Sequence, residues 1–156
     1  MKQNRVKDAF LKTIPEFTIE TSIKKFEKIA FSLQFFDNSQ SAGQHFNEWT
    51  HDQLVKLLEK LKQYCAEDFE HWKKMRIGSG KNHVLEIYGN FPNNSDFCFP
   101  SHVPVDVKWG RFRLEGDMRL VGFIIDGDSC KANQICPNIF YIVFLDAYHR
   151  FYKVKS

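Results

Sequence analysis

The stretch VKWGRFRLEGDMRLVGFIID, residues 107–126, reads as a β-hairpin. Its two runs, VKWGRFRLE (107–115) and RLVGFIID (119–126), carry the β-branched and aromatic residues that pack well on a pleated surface. EGDM between them is a tight turn, with Gly116 available for a positive φ. Further along, IFYIVFL (139–145) is a third strand-like run that stops at Asp146. HRFYKV (149–154) then reads as a short fourth strand after a turn at 146–148, and GDSCKANQICPN, twelve residues, as a flexible hairpin loop. Consecutive hairpins predict an antiparallel meander, and so an α+β fold with helices packed on one face of an antiparallel sheet.

The clearest helix lies upstream. Thr50 and Gln53 form a T-x-x-Q capping box, whose side chains satisfy otherwise unpaired amides at a helix start. Leu54, Leu57, Leu58, Leu61, Cys65, Phe69 and Trp72 follow at spacings of three and four, one apolar stripe on one helix or on two broken near Cys65. Lys56, Glu59, Lys60, Lys62 and Glu67 fill the other face. FEKIAFSLQFF (26–36) suits a first strand, DNSQSAGQ (37–44) a loop, and 84–88 a short strand. The Pro- and Asn-rich 89–106 reads mostly as loop. Residues 1–25 form an N-terminal arm in which Pro15 interrupts any helix, while Phe10, Leu11 and Ile14 make a turn that docks on the body. Residues 26–156 then form a single domain, as the 156-residue length suggests.

Composition narrows the class of protein. With 43% hydrophobic and 26% charged residues the chain is a globular protein, and 16 Phe give it large apolar area per residue. A net charge of +3 predicts a nucleic-acid partner only if the cations cluster. MKQNRVKDAFLKTIPEF lacks the apolar core of a signal peptide, and no apolar run is long enough to span a bilayer, so no membrane partner is expected. Cys65, Cys98, Cys130 and Cys136 form no C-x-x-C pair, which predicts free thiols, a cytoplasmic protein, no metal and no cofactor.

Two basic constellations carry possible chemistry. HWKKMRIGSGKNH (71–83) holds Lys73, Lys74, Arg76 and Lys81 without an acidic residue, an arrangement that can hold phosphates but also suits a helix C-terminus. Its GSGKN is not a phosphate loop, since Met75 and Asn82 stand where that motif needs Gly and Ser or Thr. On the predicted sheet, Lys108, Arg111, Arg113 and Arg119 stand on the first hairpin, and His149, Arg150, Tyr152 and Lys153 at its end. In a meander these can converge, Arg and Lys meeting phosphates while bases stack on aromatic rings. Cleavage of RNA without metal needs cations on the phosphate and a group that moves protons, for which His serves well and Tyr can. The plainer reading is that charged strand residues protect a sheet edge. Asp126 and Asp128 read as a turn signal, and no nucleophile-elbow pattern accompanies the Ser and His residues.

RLVGFIIDG…NIFYIVFLDAYHRFYK resembles the C-terminal hairpin of RelE/ParE-like toxins, and the helical stripe before a Lys-rich turn is similar too. The likeness spans roughly residues 26 to 154. It implies a compact α+β meander and, for the ribonuclease members, cleavage of free or ribosome-bound mRNA without metal. On this likeness Arg119 matches the Arg that opens the penultimate long strand, and His149, Tyr152 and Lys153 match the terminal polar cluster. The chain departs from the pattern in its arm, its insertion at 89–106 and the twelve-residue loop. The first expectation is thus a RelE-like RNA-binding protein and metal-independent endoribonuclease in a toxin–antitoxin or phage-defence setting. Its partners would be RNA, the ribosome or a protein antitoxin. The alternative is a non-catalytic protein-interaction module or inhibitor from a phage or defence system, with aromatic hot spots, and a third reading makes the main helix and the cationic turn after it only a dimerisation face.

Overall fold

The computed structural model describes residues 2–14, 18, 19, 22 and 27–153, residues 2–4 by backbone alone. Helix α1 spans Lys2–Leu11, strand β1 Ala30–Ser32, and a 3-10 turn Phe46–Glu48. Helices α2 (His51–Tyr64) and α3 (Phe69–Lys74) precede strands β2 (Leu85–Gly89), β3 (Lys108–Arg113) and β4 (Arg119–Ile124). Helix α4 (Gly127–Asn133) and strand β5 (Ile139–Asp146) complete the fold. The five strands form one sheet in the order β1-β5-β4-β3-β2, and the architecture is α+β.

The predicted hairpin is β3–β4, closed by Leu114 N–H to Met118 O (3.0 Å) with Gly116 at φ 55°. From β2 to β5 the sheet is an antiparallel meander, but β1 pairs parallel to β5, which makes the sheet mixed. A parallel partner needs a long crossover, and β2, β3 and β4 all lie between these two strands in the chain. The loop expected at 127–138 contains α4, which begins after Asp126 and ends at the left-handed Gln134. Residues 149–153 are not a strand, for a reason that lies in the site itself. Of the predicted first strand, 26–36, only Ala30–Ser32 is strand among the described residues 27–36, and residue 26 lies outside them. In the N-terminal arm, α1 is a full helix, and Phe10, Leu11 and Ile14 are exposed rather than docked. The rest of the arm, residues 1, 15–17, 20, 21 and 23–25, lies outside the described residues.

The capping box forms as predicted, Gln53 N–H donating to Thr50 Oγ1 (3.2 Å) and Thr50 N–H to Gln53 Oε1 (2.9 Å). The helical stripe breaks at Cys65, and Asp68 caps α3 by accepting from His71 N–H. The break frees backbone groups that grip their neighbours. Trp72 Nε1 donates to Tyr64 O (2.9 Å), and Ile29 N–H to Glu67 O (3.2 Å). Leu57, Tyr64 and Trp72 pack with Leu85, Phe112, Leu120 and Phe140 on the first face of the sheet.

Trp109, Val121, Phe123 and Val143 form the second face, and loops cover it through Ala42, Phe97, Val103 and Phe151. A loop has no regular ridge to set into grooves, so large rings fill the space. Phe97 lies 4.4 Å from Phe144, and Phe91 meets Trp109 edge-on at 4.9 Å. That accounts for much of the Phe excess. Gln40 ties this cover together by bonding both backbone groups of Cys98 (2.7 and 2.8 Å). A register shift between Val121 and Gly122 lets β5 send both Val143 and Phe144 to the second cluster. Gly122 is required there, since a Cβ would stand 2.0 Å from Tyr141 O.

Candidate anion-binding site

Strand alternation assembles the site. Arg111 and Arg113 are two apart on β3, and Arg113 pairs directly with Arg119 on β4, so all three side chains leave the same face as Val121. Arg111 and Arg119 are 6% and 5% exposed. Burial lowers the pKa of Arg119 to about 10, with Arg111 and Arg113 adding repulsion. Arg111 donates Nε–H to Tyr88 Oη (3.2 Å) and an Nη1 proton to His83 O (3.1 Å). Arg119 donates from Nη1 to Gly116 O (2.7 Å) and Met118 O (2.9 Å), and its buried Nε has no partner among the described residues. No carboxylate forms an ion pair with any of the three among the described residues. Glu86, paired with Arg111 in the ladder, turns instead to His83. Asp117 acts on Arg119 only as a favourable charge from the exposed hairpin turn.

The loop after β5 brings His149 to this cluster. Asp146 is fully buried and accepts three amides, from Tyr148 (3.3 Å) and Arg150 (2.9 Å) at Oδ1 and from Phe151 (2.8 Å) at Oδ2. The carboxylate thus folds the chain around itself, which is why no strand follows. His149 takes φ 56° within that turn, and Phe151 drops into the second cluster. Burial pushes the pKa of His149 down, and Arg119 and Arg111 push it further, so the imidazole is neutral at pH 7. Tyr152 stacks on Tyr88 at 4.4 Å and 7°, one step from Arg111. Burial raises the pKa of Tyr88, which holds its hydroxyl protonated.

Of the predicted site residues, Arg111, Arg113, Arg119, His149 and Tyr152 come together. Arg150 and Lys153 sit near in sequence but both pair with Asp96, Arg150 at 3.6 Å. Lys108 leaves the other face, beside Ile124, and pairs with Asp126 at 3.1 Å. With Lys73 it lines a cleft that also holds Glu27, Asp68 and Glu70, so those two cations are largely answered by carboxylates. Lys73 itself pairs with Glu70 at 2.8 Å. Lys74, Arg76 and Lys81 are exposed around the turn after α3. Asp146, which the sequence marks only as the stop of the last apolar run, and Tyr88 are not among the predicted site residues. The aspartate closing an apolar run just before a short polar segment was a legible signal for a side-chain-capped turn, whereas nothing local marked Tyr88.

Among the described residues no group of His, Cys, Asp and Glu is placed to hold a metal, and no helix is long and apolar enough to cross a membrane. Comparison with known proteins finds no matching family, no matching curated protein and no matching solved structure.

Proposed function

We propose that this chain is an RNA-binding protein of the RelE-like kind, acting in the cytoplasm as a metal-independent endoribonuclease. The observation that carries this reading is the set of three arginines on one face, two of them buried, with no carboxylate paired to any among the described residues. Guanidinium groups crowded together out of water gain most from an anion with several acceptor oxygens, and a phosphodiester is such an anion. Arg113, the least buried of the three, is the first to meet it, and Arg119 and Arg111 set the positive field behind it.

Chemistry then falls to His149. A neutral imidazole accepts the proton of a ribose 2′-hydroxyl as that oxygen attacks the adjacent phosphorus. The bond from phosphorus to the 5′-oxygen breaks and that oxygen leaves with a proton from water, giving a 2′,3′-cyclic phosphate and a 5′-hydroxyl. The arginines stabilise the charge gathered on the phosphoryl oxygens. Tyr152, stacked on Tyr88 with part of its ring in solvent, offers a surface for an unpaired base. Arg150 and Lys153, held by Asp96, are assigned no catalytic part.

The test is incubation of purified protein with labelled single-stranded RNA, with and without ribosomes, at low salt. Cleavage lost in His149→Gly but with RNA binding retained supports both parts of the reading. Binding without cleavage in the wild type removes the nuclease, and no binding removes the reading altogether.

A further inference from the structure

The turn after α3 is built onto the same end of the sheet as the arginine cluster. Ile77 N–H donates to Asn82 O and Val84 N–H to Met75 O (2.9 Å each), with Arg76 bridged to His83 and Gly78 at φ 59° in the reversal. Val84 O in turn accepts from Arg113 N–H (2.9 Å), and Arg113 pairs with Arg119. Met75 therefore stands two strand spacings, about 10 Å, from Arg113, and Arg76 is the next residue. Arg111 ties the turn to the rest of the site, since the side chain that bonds Tyr88 Oη also donates to His83 O. The Tyr152–Tyr88 stack, Arg111, His83 and Arg76 thus form one connected series.

Charge in this turn is unanswered. No acid occurs between Glu70 and Glu86 in the chain, and those two are engaged, Glu70 by Lys73 (2.8 Å) and Glu86 by the amide of His83 (3.0 Å). Arg76 and Lys81 are exposed and form no ion pair among the described residues. The dipole of α3 accounts for Lys74, its last residue, but falls off within the last helical turn, short of Lys81. By contrast Lys108, Arg150 and Lys153 each face a carboxylate.

We propose that Arg76 and Lys81 form a second phosphate subsite, and that the substrate is an extended single strand of RNA crossing the end of the sheet from Tyr152 past Arg113 to this turn. The proposal rests on the reading that the arginine cluster holds a phosphodiester. A single strand repeats its anions along the backbone, so a second pair of unanswered cations beside the cluster takes further phosphates of the same strand, while Tyr152 takes a base. Affinity then grows with RNA length until both subsites are filled, and a fragment too short to span them is held at the cluster alone.

Fluorescence anisotropy of the full chain with labelled oligouridylates of about three and about twelve nucleotides, over a salt series, tests the proposal. The wild type is expected to bind the longer RNA at least about tenfold more tightly. Arg76→Ser with Lys81→Ser should weaken binding of the longer RNA about tenfold, lower its salt slope by about 1.4 and leave the shorter one unchanged. Arg113→Ala should weaken both. Lys108→Ser with Lys131→Ser removes the same charge at the opposite end of the sheet and should match the wild type. Arg76 and Lys81 are exposed, so circular dichroism should show their double variant folded. A double variant that binds both lengths like the wild type, that weakens both alike, or that the lysine control matches would overturn the second subsite and leave the cluster's role standing. No binding of either RNA by the wild type, or an Arg113→Ala variant that binds like it, would remove the RNA reading itself and this proposal with it.

Discussion

Arg119 and Asp146 face each other across the β4–β5 pair, both buried, and form no ion pair. Each charge is spent on backbone. Asp146 takes the amides of Tyr148, Arg150 and Phe151, and Arg119 gives its protons to the carbonyls of Gly116 and Met118. The arrangement separates two tasks. Asp146 builds the turn that delivers His149, and Arg119 keeps a positive charge that no carboxylate among the described residues neutralises in an ion pair.

Asp146→Ala should therefore cost stability well beyond one hydrogen bond, because three amides lose a charged acceptor at once. About 3 kcal/mol is expected by urea denaturation, together with faster hydrogen exchange confined to residues 147–153. A loss below about 1 kcal/mol would show that the carboxylate does not organise the loop.

Arg119→Met should behave in the opposite way. It removes a buried charge that repels Arg111 and Arg113 and an Nε without a partner, and it keeps the apolar stem. Stability should hold or rise by about 1 kcal/mol while RNA affinity falls. Destabilisation by more than about 2 kcal/mol would mean that the arginine serves the fold.

His149 gives the site a pH dependence. Its pKa is lowered in the folded chain, so as pH falls below 6.5 the unfolded state takes up the proton first and stability declines. Bound phosphate reverses the local field and raises that pKa, so RNA binding should tighten between pH 7.5 and 6. In His149→Gly both effects should vanish, and Gly adopts the left-handed φ at no cost. RNA affinity with the same pH profile in both proteins would remove His149 from the site.

Gly122→Ala should lower stability by about 2 to 4 kcal/mol, since the added Cβ meets the backbone oxygen of Tyr141 at the register shift. A thermal melt within a degree of the wild type would show that β5 can move aside.

What could be read from the sequence was whatever local pattern determines. The β3–β4 hairpin, the IFYIVFL strand and the capped α2 each carry their own signal within a few residues. The parallel pairing of β1 did not show, because Ala30–Ser32 is short and its partner lies over a hundred residues on. α4 was hidden by polar, turn-like composition, and its only buried residue is Cys130. In the site, Arg119 with His149 was legible as a possibility, since both flank the last strands. That Lys108 belongs to the opposite face follows from strand parity alone once β3 is placed, whereas Tyr88 joins only through tertiary packing across β2 and β3.

The central claim is that the arginine cluster holds an RNA phosphate, and the most direct measurement is fluorescence anisotropy of a labelled single-stranded RNA over a salt series. Arg113→Ala removes the most accessible guanidinium of the cluster, and Lys108→Ala, on the opposite face, serves as the control. The account predicts that Arg113→Ala weakens binding about tenfold and lowers the slope of log affinity against log salt by about one, while Lys108→Ala matches the wild type. Equal loss in both variants, or no RNA binding by the wild type at low salt, would contradict it.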